Sequence, residues 1–129
     1  MRYYICVYEI KEFTENERSP FADWFNELAP VTAARVDRFI RRLESGNFGT
    51  AKPLREGVFE LRLDFGPGYR VYYGIDGKTI VVLLGGGSKR RQAADINAAV
   101  ARWNHYKAGR QQYGSDAKLQ DDRAGTHQE

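Results

Sequence analysis

The run Val58-Phe-Glu-Leu-Arg-Leu-Asp-Phe-Gly-Pro-Gly-Tyr-Arg-Val-Tyr-Tyr-Gly-Ile75 decides the fold. Leu61 and Leu63 alternate with Glu60, Arg62 and Asp64, the period of two that a strand requires. Phe65-Gly-Pro-Gly68 then breaks the pattern with turn residues. Alternation resumes with Tyr69, Val71 and Tyr73 on one face and Arg70 and Tyr72 on the other. Two alternating runs around a Gly-Pro-Gly turn read as a β-hairpin. Asp76-Gly77 supplies a second turn. Ile80-Val-Val-Leu-Leu84 is apolar throughout, as expected of a central strand covered on both faces.

On the C-terminal side, Gly85-Gly-Gly-Ser88 is expected to leave the sheet. A helix follows over about Arg90–Lys107, with Ile96, Val100 and Trp103 along one side. On the N-terminal side, Tyr3–Ile10 is rich in aromatic and β-branched residues and suits a strand. Ser19-Pro20 opens a helix, and Phe21, Trp24, Phe25 and Leu28 form its apolar stripe as far as Pro30. A second helix, Val31–Ser45, carries Val36, Phe39, Ile40 and Leu43, and Gly46-Asn47 ends it. The order is β-α-α-β-β-β-α. The expected class is α+β: a small, mainly antiparallel sheet with a helical hairpin, and the helices packed on one face.

A length of 129 residues suits one domain, here residues 1–107, followed by a polar tail over 108–129 that is expected to be mobile. The single Cys6 excludes a disulfide framework and a thiolate metal cluster, and it reads as a buried, inert thiol. No apolar stretch reaches the ~20 residues of a membrane span, and Met1–Tyr8 turns polar before a signal-peptide core forms. A soluble, cytoplasmic protein is expected. The net charge of +3 hides two basic blocks, residues 31–55 at +4 and 78–110 at +6. Folded onto one surface, they make a field that attracts polyanions.

Three constellations carry chemistry. Glu60 and Arg62 share a strand face, and the hairpin sets Arg70 or Tyr72 across from them. Guanidinium groups beside a carboxylate suit phosphodiester chemistry, although the same spacing also describes a cross-strand ion pair on a wet sheet face. Lys89-Arg90-Arg91-Gln92 opens a helix, where clustered cations are unfavourable unless an anion is bound. Lys52 and Arg55 precede the hairpin and extend a basic groove, or simply belong to a surface loop. Gly85-Gly-Gly87 lacks the Lys-Ser/Thr ending of a phosphate loop, so nucleotide binding is not expected. His105 and His127 have no Ser or Cys partner in sequence, and Trp24 and Trp103 fall on core stripes.

Gly46-Asn-Phe-Gly49, Lys52-Pro-Leu54, Val58-Phe-Glu-Leu-Arg62, Gly66-Pro-Gly-Tyr-Arg-Val-Tyr-Tyr73, Leu83-Leu-Gly-Gly-Gly-Ser-Lys89, Gln92 and Asp95-Ile96 occur in this order over residues 1–107. Together they resemble the addiction-module killer branch of the RelE/ParE toxin superfamily, close to the HigB-type toxins of type II toxin–antitoxin pairs. The resemblance implies a ribosome-dependent mRNA endoribonuclease in which the RNA 2′-hydroxyl attacks the adjacent phosphate. No metal or cofactor is required. It implies catalytic positions at Glu60, Arg62, Arg70, Lys89 and Arg90, with Lys52, Arg55, Tyr72, Arg91 and Gln92 contacting RNA. Glu60 stands where RelE has a lysine, and the tyrosine of RelE's last helix has no match near Ile96. The implied partners are a cognate antitoxin of helix-turn-helix type, the ribosome and mRNA. The same superfamily contains gyrase poisons, and a toxin retained only for antitoxin binding is a third alternative.

Overall fold

The computed structural model describes the backbone of residues 7–122 and the side chains as far as Arg110. Cys6, His127 and the first residues of the expected N-terminal strand lie outside the described residues. The elements are β1 (Glu9–Glu12), α1 (Pro20–Phe25), α2 (Pro30–Glu44), β2 (Lys52–Pro53), β3 (Phe59–Arg62), β4 (Arg70–Asp76), β5 (Ile80–Gly87), a 3-10 turn (Lys89–Arg91) and α3 (Gln92–Asp122). The sheet order is β1-β5-β4-β3-β2. β1 runs parallel to β5, and every other pair is antiparallel. The α+β class and the mainly antiparallel sheet are as expected. No helix among the described residues is long and apolar enough to cross a membrane.

The hairpin forms where the alternation placed it. Gly66 and Gly68 take positive φ, which lets the chain turn back within a few residues. Leu61, Leu63, Val71 and Tyr73 meet Val81 and Leu83 of β5 and Phe21, Val36, Ile40 and Leu43 of the first two helices in one core. Ser19 caps α1, its hydroxyl oxygen accepting from the Ala22 amide at 3.0 Å.

Six expectations need correction. Among the described residues the N-terminal strand runs from Glu9 to Glu12, paired with Ile80–Leu83, and the Val7 and Tyr8 amides donate to the Glu44 carbonyl instead. α1 stops at Phe25, where tight turns replace the helix while Leu28 still packs on the core. The connection after α2 contains β2, a two-residue strand that sets Lys52 opposite Glu60. The helices do not share one face: α3 covers the other side of the sheet, where Ala99, Val100 and Trp103 pack on Val58, Tyr72, Val82 and Leu84. Its backbone continues to Asp122, past the expected end near Lys107.

The sixth correction concerns the glycines. Gly85, Gly86 and Gly87 stay in β5, paired with Tyr72, Val71 and Arg70. A bulge at Leu84 shifts the register and points Leu84 and Gly85 to the same side. A Cβ on Gly86 would collide with the Trp24 ring, and one on Gly87 with the Asp95 carboxylate. The run is glycine because side chains close in from both faces of the strand, not because a loop starts there.

Candidate functional site

Two cross-strand rows form the polar part of the α3-covered face. One reads Lys52, Glu60, Tyr72, Gly85; the next reads Arg62, Arg70, Gly87. The glycine ends leave room for α3, whose Arg102 lies over Gly85 and whose Asp95 lies over Gly87. The Glu60 and Arg70 side chains are 1% and 4% exposed, so this is not the wet sheet face that alternation alone suggests. Arg70 Nε lies 3.7 Å from Glu60 Oε1, an ion pair too long to be a hydrogen bond. Arg70 Nη1 donates to the Gly68 carbonyl at 2.6 Å, which ties the guanidinium to the hairpin turn. Gln92 Nε2 donates to Glu60 Oε1 at 3.3 Å and closes the cluster from the start of α3.

Three buried polar atoms of this cluster have no hydrogen-bond partner among the described residues: Glu60 Oε2, Arg70 Nε and the Tyr72 hydroxyl. Orphans of this kind are rare in folded proteins, and three in one place mark a spot that structure alone does not explain. Burial, together with the negative charges of Glu60 and Asp95, pushes the Tyr72 hydroxyl up to about 12, with Arg70 opposing. Burial also raises Asp95, against the pull of Arg91 and Arg102, and lowers Arg102.

Around this buried centre lies a rim of exposed cations. Arg62 sits directly opposite Arg70, and like charges so placed destabilise a strand pair unless an anion bridges them. Lys89, Arg90 and Arg91 are exposed on the 3-10 turn. The Lys89 amide donates to Pro67 O at 3.3 Å. A Cβ on Gly68 would meet Arg70 Nη1 at 3.1 Å and Lys89 Cβ at 3.2 Å, so turn, Arg70 and Lys89 converge. Lys52 stands exposed at the sheet edge, and Arg55 reaches across to hydrogen-bond Asn97 of α3. The fold thus brings Glu60, Arg70, Tyr72 and Gln92 into one cluster, with Arg62 and Lys89 at its mouth. Arg55 is turned toward α3, and Arg90 is exposed on the 3-10 turn.

Asp95 and Arg102 belong to the site but were not expected there. Their signal is the spacing Gln92, Asp95, Arg102, steps of three and seven that share one helix face. The arginines of α2 are engaged elsewhere: Arg35 lies over the Phe65 ring, Arg42 over Phe39, and Arg41 pairs with Asp37 and Glu44.

No protein-family model matches the chain. An uncharacterized protein of Haemophilus influenzae (strain Rd) is 44% identical over 80 residues, 61% of this chain and 81% of that protein. The chain belongs to that protein's family. Among solved structures, a doubly substituted variant of the Escherichia coli toxin RelE in its free state superposes with a TM-score of 0.56 at 17% identity. The match covers 76% of this chain and 98% of RelE. The fold is RelE-like.

Proposed function

We propose that the chain is the toxin of a type II toxin–antitoxin pair, a HigB-like member that cleaves mRNA on the ribosome by attack of the RNA 2′-hydroxyl. The observation that carries this reading is the Arg62–Arg70 cross-strand pair beside a buried carboxylate, with Lys89 at the same turn. A phosphate between the two arginines relieves their repulsion and receives charge-assisted hydrogen bonds as its own charge grows in the transition state. Glu60 accepts the 2′-hydroxyl proton once Gln92 gives way, because Gln92 is the side chain bonded to it. Lys89 or Arg90 stabilises the leaving 5′-oxygen. Lys52, Arg91 and, after displacement, Tyr72 and Gln92 contact flanking RNA, with Arg55 at the far edge. The working unit is residues 1–107, with 108–129 as a polar extension. The setting is the cytoplasm, and the neutralising partner is a helix-turn-helix antitoxin.

A second reading, a toxin of the same fold without nuclease chemistry such as a gyrase poison, draws on the depth of Glu60 and Arg70. A structural ion pair would be buried in the same way. Brief induction in cells separates the two. The nuclease reading expects cut messages and intact DNA, with Arg62→Ala relieving both growth arrest and cutting. DNA breaks with intact messages refute it.

A further inference from the structure

We propose that Asp95 is the proton donor to the leaving 5′-oxygen, opposite Glu60 as the proton acceptor; this rests on the RNA-cleaving reading above. Asp95 lies in the first turn of α3, four residues after Arg91. An acid there complements the helix dipole wherever it points, so the dipole does not explain its direction. The carboxylate is turned onto the sheet and fills the space that a side chain at position 87 would take. Gly87 is the cross-strand neighbour of Arg70, which in turn stands opposite Arg62. One row across the α3-covered face thus reads Arg62, Arg70, Asp95: two guanidinium groups and a carboxyl. Half-buried in that place, Asp95 makes no side-chain hydrogen bond or ion pair with other described residues. It is a carboxyl held beside the arginines with nothing in the fold for it to bond.

The placement supplies what the in-line attack still lacks, a proton for the departing oxygen. Glu60 on β3 and Asp95 over β5 flank Arg70 on β4, two strand spacings apart, roughly 10 Å. Two hydrogen bonds of about 2.7 Å and the axial O–P–O line between them span roughly 9 Å, so one carboxyl meets the attacking oxygen and the other the leaving one. Burial raises the Asp95 carboxyl, against the pull of Arg91 and Arg102, toward a group that carries a proton to deliver. In the step, the 2′-oxygen bonds to phosphorus as its proton passes to Glu60. The bond from phosphorus to the 5′-oxygen breaks, and that oxygen takes the proton of Asp95. Lys89 or Arg90 stabilises the partial charge on the oxygen during the transfer. One fragment ends in a cyclic phosphate and the other in a 5′-hydroxyl. Glu60 is left protonated and Asp95 ionised, and exchange of one proton with water resets both.

The test replaces the bridging 5′-oxygen of one linkage by sulfur, which leaves as a thiolate and needs no proton. Ribosomes are loaded with a short message carrying either linkage at the site of cutting, excess full-length protein is added, and the rate of the single cut is measured. Asp95→Asn is expected to cut the natural linkage about 10²–10⁴-fold more slowly than the wild type, and the sulfur linkage within about threefold of it. Arg62→Ala, which removes a phosphate contact, stays slow on both. An Asp95→Asn variant that is slowed alike on both linkages has lost structure rather than a proton donor, and that result overturns the proposal. So does a variant that cuts the natural linkage at the wild-type rate. If the wild type cuts neither linkage, the nuclease reading itself falls and the donor role falls with it, a result distinct from a slow variant beside an active wild type.

Discussion

Replacing one member of the Glu60–Arg70 pair should cost far more than replacing both. Each side chain is almost wholly buried, and each is the other's counter-ion. Glu60→Leu leaves a guanidinium in the interior with only the Gly68 carbonyl to solvate it. Arg70→Met leaves a carboxylate bonded only to Gln92. Breaking a buried pair from one side costs about 3–5 kcal/mol. Against a total of about 5–15 kcal/mol for a small domain, either single variant should be close to unfolding. The double variant, Glu60→Leu with Arg70→Met, removes two of the three orphan atoms as well as the uncompensated charge. It should lie within about 1–2 kcal/mol of the wild type, a coupling of several kcal/mol. Urea unfolding read by tryptophan fluorescence measures this, since Trp103 packs in the core on the same side of the sheet. Single variants that lose less than about 1 kcal/mol, or a double variant at the sum of the singles, would refute the reasoning. Either outcome would mean that the pair is solvated.

Three further outcomes follow from the same geometry. Tyr72 and Tyr73 hold their protons to about 12 in the folded chain against 10.0 in the open chain, so stability is full below pH 10 and is lost as pH rises through about 12. Unfolding measured along an alkaline series should show this fall, and Tyr72→Phe should flatten it while leaving neutral stability equal or up to about 1 kcal/mol higher, because the lost hydroxyl has no partner. Gly86→Ala should cost about 1–3 kcal/mol by driving a methyl into Trp24, read as a lowered Tm; an unchanged Tm would mean that α1 yields freely. Binding to single-stranded RNA should weaken with salt, and Arg62→Ala and Arg91→Ala should each reduce the log–log slope by about 0.7; unchanged slopes would remove those residues from the interface.

How much of this was legible in the sequence depends on how local its cause is. The hairpin was legible because Leu61, Leu63, Val71 and Tyr73 alternate with polar residues and a Gly-Pro-Gly turn separates the two runs. The unbroken Ile80–Leu84 run announced two covered faces but not which helix covers which. That is settled by Ala99, Val100 and Trp103, far along the chain. The glycines of β5 misled, since a loop start and a crowded strand use the same residue for opposite reasons. The site residues Glu60, Arg62 and Arg70 were legible as one face. The burial of Glu60 and Arg70 was not, because an alternating charged strand reads the same whether water or a helix lies over it. The Asp95 and Arg102 contribution was written in a helical spacing that becomes informative only once α3 is known to lie on that face.

The most direct test is a reconstituted translation reaction with the purified protein, in which the ends of any cut message are analysed chemically. Cleavage by 2′-hydroxyl attack predicts a cyclic phosphate on one fragment and a 5′-hydroxyl on the other. The cuts should fall only in translated regions and disappear with Arg62→Ala. Intact message, or cutting that Arg62→Ala leaves unchanged, would contradict the account.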